Sequence, residues 1–193
     1  SIYSSGPANY FRINGNANDL TESTAQLFLG IRLECAKCHH HPFEKYSQGD
    51  YQGFAAFFKG VGTKNSEEFG LFGRESVVVV KAGTTGKATP LGGEAVEHPL
   101  DLRIPLATWL TGKNNSFFAQ NVVNRYVSYL LGRGLVEPVD DLRSTNPPTN
   151  VALMNALSKH FVDSNYNLKS LLQAIVSSRL YQLSSQPTPK NVS

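Results

Sequence analysis

The sequence has few charged residues, no long apolar run and only two cysteines among 193 residues. A charged fraction of 17% beside a hydrophobic fraction of 40% excludes a disordered polyelectrolyte and is typical of a globular protein. No run of Lys or Arg exceeds two residues and the net charge is only +3, so we expect no nucleic-acid partner. No apolar stretch approaches the length of a membrane span, so we expect no transmembrane segment.

The N-terminal residues also lack the features of a signal peptide. The chain begins Ser1-Ile2-Tyr3-Ser4-Ser5, with neither a methionine nor a basic segment ahead of an apolar one. We therefore expect the chain to be a mature or cleaved product, or a fragment of a longer protein.

The two cysteines lie three positions apart and are followed directly by a histidine, in the string Cys35-Ala36-Lys37-Cys38-His39. Two thiols at this spacing on one helical turn can add to the two vinyl groups of one haem, and the next histidine can ligate its iron. The string is typical of c-type haem attachment. We predict one haem c per chain, with Cys35 and Cys38 as thioether links and His39 as an axial iron ligand.

Other chemistry for these residues stays open. A disulfide or a redox-active pair would use Cys35 and Cys38, although no thioredoxin-like pattern surrounds them. Zinc would use both cysteines with His39 and His41, four ligands within seven residues. Four ligands in so short a stretch do not easily close a tetrahedron, because structural zinc sites usually draw ligand pairs from separate segments. Haem is the favoured cofactor and zinc is the alternative.

No residue stands out as the second axial ligand of the iron. His41, His98 and His160 are candidates for this position or for ligating the haem of a neighbouring chain, whereas Met154, the single methionine, is favoured as a core residue. An open or water-filled sixth position is also compatible with the sequence. Because axial ligands and burial set the redox potential, the potential stays open with the ligand.

Apolar residues recur at helical spacing over most of the chain, which predicts a mainly α fold. One predicted helix starts near Thr21, its N-cap, and runs towards the cysteine motif. Further helices are predicted over residues 47–58, 102–111, 116–131, 151–163 and 168–180. The β-branched run Val77–Val80 predicts a strand, with a turn at residues 83–86. We expect this strand to return through residues 87–91, as a small β-hairpin insert near residues 75–92.

These patterns divide the chain into four parts. We predict a haem-attachment helical segment over residues 1–62, a β-hairpin and linker over 63–100, a helical companion domain over 101–186 and a frayed tail over 187–193. We expect the haem-bearing helices to pack on the later helices as one unit.

Charged residues cluster in and beside the loop over residues 132–141. They are Arg125, Arg133, Asp140, Asp141 and Arg143. We predict that they form structural ion pairs that hold the loop. Binding of a haem propionate or of a partner, and acid–base catalysis by the paired carboxylates, are the alternatives.

Two parts of the sequence resemble a pair of planctomycete domains. Residues 28–46, together with residues 50–51 and 55–58, resemble the end of a planctomycete cytochrome-like domain. The second domain that accompanies it in large secreted planctomycete proteins is similar to this chain over residues 109–111, 121–125, 132–141, 146–148 and 178–185. Both domains are largely of unknown function. The resemblance covers about residues 20–60 and 100–186, and it implies a periplasmic or extracellular protein.

The sequence thus favours a c-type cytochrome that transfers electrons outside the cytoplasm to an unidentified redox partner protein. One haem motif with no second cofactor motif favours a carrier over an enzyme. A structural or binding module of a secreted assembly, stapled by haem or zinc, is one alternative. A haem enzyme or sensor with an open distal site is another. If His40 or His41 ligates a neighbour's haem, the chain forms a homo-oligomer or part of a multi-haem assembly.

Overall fold

The computed structural model describes residues 5–42, 44–66, 75–81, 86–184 and 186. Within them the fold is mainly α with a β-hairpin, which confirms the predicted class. The helices are α1 Asn9–Ile13, α2 Ala17–Thr24, α3 Gln48–Ala55, α4 Arg103–Leu110, α5 Ser116–Leu131, α6 Val151–Asp163 and α7 Leu168–Val176. The strands are β1 Val61–Ser66 and β2 Glu75–Val80.

Helix α2 begins earlier than the sequence predicted. Its N-cap is Asn16, whose side-chain oxygen accepts hydrogen bonds from the backbone N–H groups of Asn18 and Asp19. Thr21, the predicted N-cap, is buried inside the helix and donates its hydroxyl to the Ala17 carbonyl. Both residue types cap helices well, so the sequence pattern alone did not separate them, and the prediction at Thr21 is wrong.

Helix α2 continues directly into a π-helical turn, Ala25–Leu29, which ends at Gly30. Gly30 has a φ of 68°, in the left-handed region, and a Cβ at this position would lie 2.8 Å from Cδ1 of Leu142. Both the backbone conformation and the close approach of the later loop therefore require glycine here. The chain then reaches the cysteine motif, which forms a 3-10 turn over Glu34–Lys37.

Helix α3 and the 3-10 turn Ala56–Phe58 that follows it confirm the helix predicted over residues 47–58. Ser47 caps α3 in a reciprocal capping box: its hydroxyl accepts from the N–H of Asp50, and the Asp50 carboxylate accepts from the N–H of Ser47. This end of the helix is thus defined by local sequence.

The hairpin exists, but its partner strand differs from the predicted one. Strand β2 pairs antiparallel with β1, with Val61 opposite Val80 and Ser66 opposite Glu75. The predicted return through residues 87–91 is wrong, because Ala88 instead forms an isolated bridge with Val96. The predicted turn at residues 83–86 lies largely outside the described residues. A run of β-branched residues predicts a strand from the sequence alone. The identity of the strand that pairs with it depends on which segment the fold places beside it.

Helices α5 and α6 have the predicted bounds, and α7 starts as predicted but ends four residues earlier. Each begins after an asparagine whose side chain accepts a backbone N–H: Asn115, Asn150 and Asn167. Gly132, with a φ of 76°, closes α5 in the left-handed conformation. Regular periodicity with clear caps explains why these helices were predictable.

Buried apolar residues form two cores. The first core comprises Leu20, Ala25, Leu29, Ile31, Leu33, Ala36, Tyr46, Tyr51, Phe54, Ala55, Phe57, Phe58, Ala88, Leu91, Leu102 and Leu106. The second core comprises Ala119, Val123, Val127, Leu135, Val136, Leu142, Met154, Phe161, Leu171 and Ile175. Helix α4 thus packs with the first core, and α5–α7 enclose the second. The domain boundaries drawn from the sequence stay a prediction.

Candidate functional site

The Cys-X-X-Cys-His motif lies on one exposed turn at the edge of the first core. The N–H groups of Cys38 and His39 both point to the carbonyl of Cys35, at 3.4 and 3.3 Å. Side chains three residues apart in a 3-10 turn project from the same side of the turn. Cys35, Cys38 and His39 are all exposed to solvent. The turn therefore presents two thiols and one imidazole together at the surface.

The two residues between the cysteines attach this turn to the body of the protein. Ala36 is fully buried in the first core. Lys37 places its Nζ 3.1 Å from Oε1 of Glu22 in α2, and its backbone carbonyl accepts a hydrogen bond from Gln48 in α3 at 3.2 Å. The turn is thus held from its middle by two helices while its reactive side chains face outward.

Tyr51 completes the support beneath the motif. Its side chain is fully buried, and its hydroxyl donates to the same Glu22 oxygen at 2.9 Å. Burial, followed by the hydrogen bond and the negative charge of Glu22, raises the pKa of Tyr51 above its ordinary value. The phenol therefore stays a hydrogen-bond donor at neutral pH. Sequence reasoning missed the roles of Glu22, Gln48 and Tyr51 because they act through side chains distant in sequence.

The orientation of His39 leaves one ring nitrogen available. Its Nδ1 lies 2.7 Å from the backbone carbonyl oxygen of His40. A carbonyl only accepts, so in the neutral imidazole Nδ1 carries the proton and Nε2 presents a lone pair. Metal-ligating histidines are usually oriented by this kind of hydrogen bond at the other nitrogen. This contact therefore leaves Nε2 of His39 available to a ligand.

The donor set fits covalent haem attachment on chemical grounds. Two exposed thiols on one turn can form two thioether bonds without rearrangement of a buried core, and Nε2 of His39 is a nitrogen ligand of the type that iron accepts. Five cavities lie along the described residues without Cys35, Cys38 or His39 in their walls. A haem held here would lie on the surface.

The four side chains considered as zinc ligands, those of Cys35, Cys38, His39 and His41, do not converge on one point. Among the described residues, no group of three or more His, Cys, Asp or Glu side chains converges as a metal site would require. The backbone N–H of His41 donates to the carbonyl of Tyr46 at 3.0 Å.

The remaining ligand candidates sit in other structural settings. Nδ1 of His98 accepts the backbone N–H groups of Leu100 and Asp101, at 3.3 and 2.9 Å, and so supports the turn before α4. Nε2 of His160 lies 2.9 Å from the hydroxyl of Ser170, which joins α6 to α7. His160 is exposed, whereas His98 is half-buried. Met154 is fully buried in the second core, as the sequence favoured. The identity of a second iron ligand stays a prediction.

The charged loop after α5 forms two ion pairs, only one of them within the predicted set. Nη2 of Arg143 lies 3.3 Å from Oδ2 of the buried Asp141. Asp140 instead pairs with Arg32 from the first half of the chain, at 2.7 Å. Arg125 bonds neutral oxygens, those of the Asn121 side chain and the Gln26 backbone. The loop is therefore held by contacts that cross between the two cores as well as within it.

Together the fold and the turn define a mainly α protein with an exposed Cys-X-X-Cys-His turn anchored to its first core. In the part of the chain that the structure describes, no helix is long and apolar enough to span a bilayer. Residues 6–63 match the family described as PSCyt2, "Protein of unknown function (DUF1549)", and residues 102–193 match PSD1, "Protein of unknown function (DUF1553)". Both are planctomycete-type domains, which supports the resemblance to a planctomycete domain pair. No curated protein and no solved structure matches the chain significantly.

Proposed function

We propose that this protein is a c-type cytochrome that transfers electrons in the periplasm or outside the cell. The observation that carries the proposal is the exposed turn on which Cys35, Cys38 and His39 stand together, with Nδ1 of His39 bonded to the His40 carbonyl. This arrangement leaves both thiols and Nε2 of the imidazole free to act on one cofactor.

Each residue of the turn has a separate role in holding the group. The thiols of Cys35 and Cys38 would form the two thioether links, and His39 would supply an axial nitrogen. When bound, haem supplies a one-electron redox centre. The chain itself contributes the position of that centre, because Lys37, Glu22 and Tyr51 hold the turn against the first core.

Surface placement of the motif supports a carrier. Electron transfer requires close approach of a partner protein, and a cofactor attached to an exposed turn is accessible to one. Covalent links would also keep the haem attached although no deep pocket encloses it at this exposed turn. The proposal includes a redox partner protein, a second axial ligand and a location outside the cytoplasm. These parts of the proposal rest on the cysteine motif together with the planctomycete resemblance.

The decisive experiment is expression of the whole chain with a periplasmic c-type haem maturation system. We expect one haem per chain by intact mass, haem that stays with the denatured protein on a gel, and sharp bands on reduction. The double variant Cys35→Ser with Cys38→Ser should lose all covalent haem. Lys159→Ala, which alters an exposed side chain on α6 that is not a ligand candidate, is the control and should keep full attachment.

Other outcomes would assign a different function. A wild-type protein that matures without covalent haem would refute the cytochrome proposal, and stoichiometric zinc in that protein would favour a structural module. A covalently bound haem with a high-spin spectrum that shifts with carbon monoxide would favour a haem enzyme or sensor.

The second axial ligand can be tested in the same preparation. Alanine variants at His41, His98 and His160 should be compared one at a time. Loss of the low-spin spectrum in one variant identifies the ligand. For His41, a simultaneous change in elution volume on size exclusion would place the ligated haem in a neighbouring chain.

A further inference from the structure

A cleft of about 410 Å³ lies where the first half of the chain meets α5 and the loop after it. Its walls include Ile13 at the end of α1, Gln26 and Leu27 in the π-helical turn, Arg125 in α5 and Asp140 in the loop. The volume is within the range of roughly 300–1,000 Å³ that small-molecule sites occupy, and such sites prefer junctions between structural units. The cysteine motif does not line it.

Arg125 enters this cleft without an anionic partner. Its Nε donates to Oδ1 of Asn121 at 3.3 Å and its Nη2 donates to the Gln26 carbonyl at 3.2 Å, both neutral acceptors. Over the described residues, no carboxylate lies within 4.0 Å of its guanidinium. A guanidinium carries five N–H donors, so three remain for a ligand. A half-buried cation with spare donors points to an anionic ligand group, and a carboxylate matches its geometry.

Asp140 lines the same cleft. Its Oδ1 accepts from Arg32 at 2.7 Å and its Oδ2 accepts from Gln26. Burial raises the pKa of Asp140, but the hydrogen bonds from Arg32 and Gln26 outweigh it and lower the pKa overall. The group is therefore ionised at neutral pH, and its two oxygens keep acceptor capacity beyond these bonds.

Arg125 and Asp140 thus place opposite charges in one cleft without pairing to each other. A ligand that carries both charges complements this arrangement. A simple carboxylate would leave the spare acceptor sites of Asp140 unused, and a simple amine would leave the donors of Arg125 unused and be repelled by Arg125 and Arg32. The cleft therefore favours a zwitterion over either single ion.

The rim of the cleft is apolar. Ile13 is 81% exposed and Leu27 is 44% exposed, so two large aliphatic side chains stand in water beside the charged walls. Leu27 belongs to the π-helical turn, a conformation that is rare and occurs frequently at functional sites. Covering these side chains with an apolar group of the ligand would remove them from water.

We propose that this cleft binds a free α-amino acid with an apolar side chain. The carboxylate pairs with Arg125, the ammonium group with Asp140, and the side chain packs on Ile13 and Leu27. The proposal does not depend on haem, since none of its residues belongs to the motif.

The first test is calorimetric titration of the whole chain with three probes: L-leucine, 4-methylpentanoate, which lacks the ammonium, and 3-methylbutylamine, which lacks the carboxylate. We expect saturable leucine binding and an affinity at least about tenfold lower for each analogue, because each loses a charge-assisted hydrogen bond. Absence of saturable leucine binding, or equal affinities for the three probes, would overturn the proposal.

Variants test the walls of the cleft separately. Ile13→Asn should weaken leucine binding several-fold without affecting folding, because the side chain is exposed. Leu100→Asn alters a similarly exposed side chain (79%) outside the cleft and should bind leucine like wild type. Arg125→Gln should abolish binding of leucine while its far-UV circular dichroism stays native. Equal binding by Ile13→Asn and Leu100→Asn would contradict the assigned site, even if Arg125→Gln proved unstable.

Discussion

The two cores of this protein are built in different ways. Around the second core, α5 and α6 run for 16 and 13 residues, and asparagines cap α5, α6 and α7. Around the first core, α1, α2, α3 and α4 span between five and eight residues each, joined by π-helical and 3-10 turns. The cysteine motif belongs to the irregular half.

This difference shows where the chain relies on local pattern and where it relies on distant contacts. Long helices acquire their direction and length from periodicity and caps, and so need little from the rest of the chain. The short turns near the motif are instead held by side chains such as Glu22, which serves both Lys37 and Tyr51. Polar links, including the hydrogen bond from Asn121 to the Leu27 carbonyl at 2.6 Å, connect the two halves.

The largest effects should come from truncation of a buried ring in each core. Phe54→Ala and Phe161→Ala should each lower the free energy of unfolding by about 3–5 kcal/mol, because both rings are almost completely buried. Trp109, the only tryptophan, lies 6.3 Å from Phe54 between ring centroids and therefore reports on the first core.

Two spectroscopic probes can distinguish unfolding of the first core from unfolding of the second. In urea, Phe54→Ala should shift the midpoint seen by Trp109 fluorescence more than the midpoint seen by circular dichroism, and Phe161→Ala should do the opposite. We expect this because the buried apolar residues form two separate clusters, which hydrogen bonds and an ion pair link. Coincident shifts in both probes for both variants would show that the cores unfold as one unit.

A smaller effect should come from the link between the cores. Asn121→Ala removes the hydrogen bond to the Leu27 carbonyl and the acceptor for Nε of Arg125, at a cost of about 1–3 kcal/mol. The two urea midpoints should move further apart in this variant, because the link that couples the cores is lost.

Asn124→Ala is the matched control for this prediction. It makes the same change one turn later in α5, where the side chain bonds only Val136 and Val139 within the second half. This variant should lower the midpoint of the second core alone. If Asn121→Ala and Asn124→Ala shifted the two probes identically, Asn121 would not be the coupling residue.

The smallest effect concerns the caps and their response to pH. Hydrogen bonds from the hydroxyl and N–H of Ser47 lower the pKa of Asp50 below its ordinary 3.8. This contribution is present above the ordinary pKa and is lost as the pH falls through the lowered native value. The asparagine caps of α5, α6 and α7 do not titrate. Acid should therefore loosen the first core before the second, as followed by Trp109 fluorescence and by circular dichroism.

Two variants isolate that acid response. Asp50→Asn should remove the part of the acid loss that belongs to α3, with stability at neutral pH reduced by about 1 kcal/mol or less. Ser47→Ala should cost about 1 kcal/mol at neutral pH and return the pKa of Asp50 towards its ordinary value, measurable by NMR titration. An unchanged Asp50 titration in Ser47→Ala would refute the assigned cause.

Much of the fold was readable from residue order. The bounds of α5 and α6 followed from periodic apolar residues and from Gly132, and the position of α3 followed from apolar residues at helical spacing. The start of α2 was predicted at the wrong residue because Asn16 and Thr21 are both good caps. The strand that pairs with Val77–Val80 was assigned wrongly because β1 has no β-branched run of its own. Local sequence patterns thus locate helices and strands, but they carry little information about which strands pair.

The cysteine motif shows the same division at the level of the site. Residue order alone placed Cys35, Cys38 and His39 at one turn, since spacing along a turn is a local property. Only the tertiary structure brought Glu22 and Tyr51 beneath that turn, left Arg125 without a carboxylate among the described residues, and placed Asp140 in the same cleft. Hydrogen bonds between residues 29 or more than 100 positions apart depend on how helices pack, which no periodicity encodes.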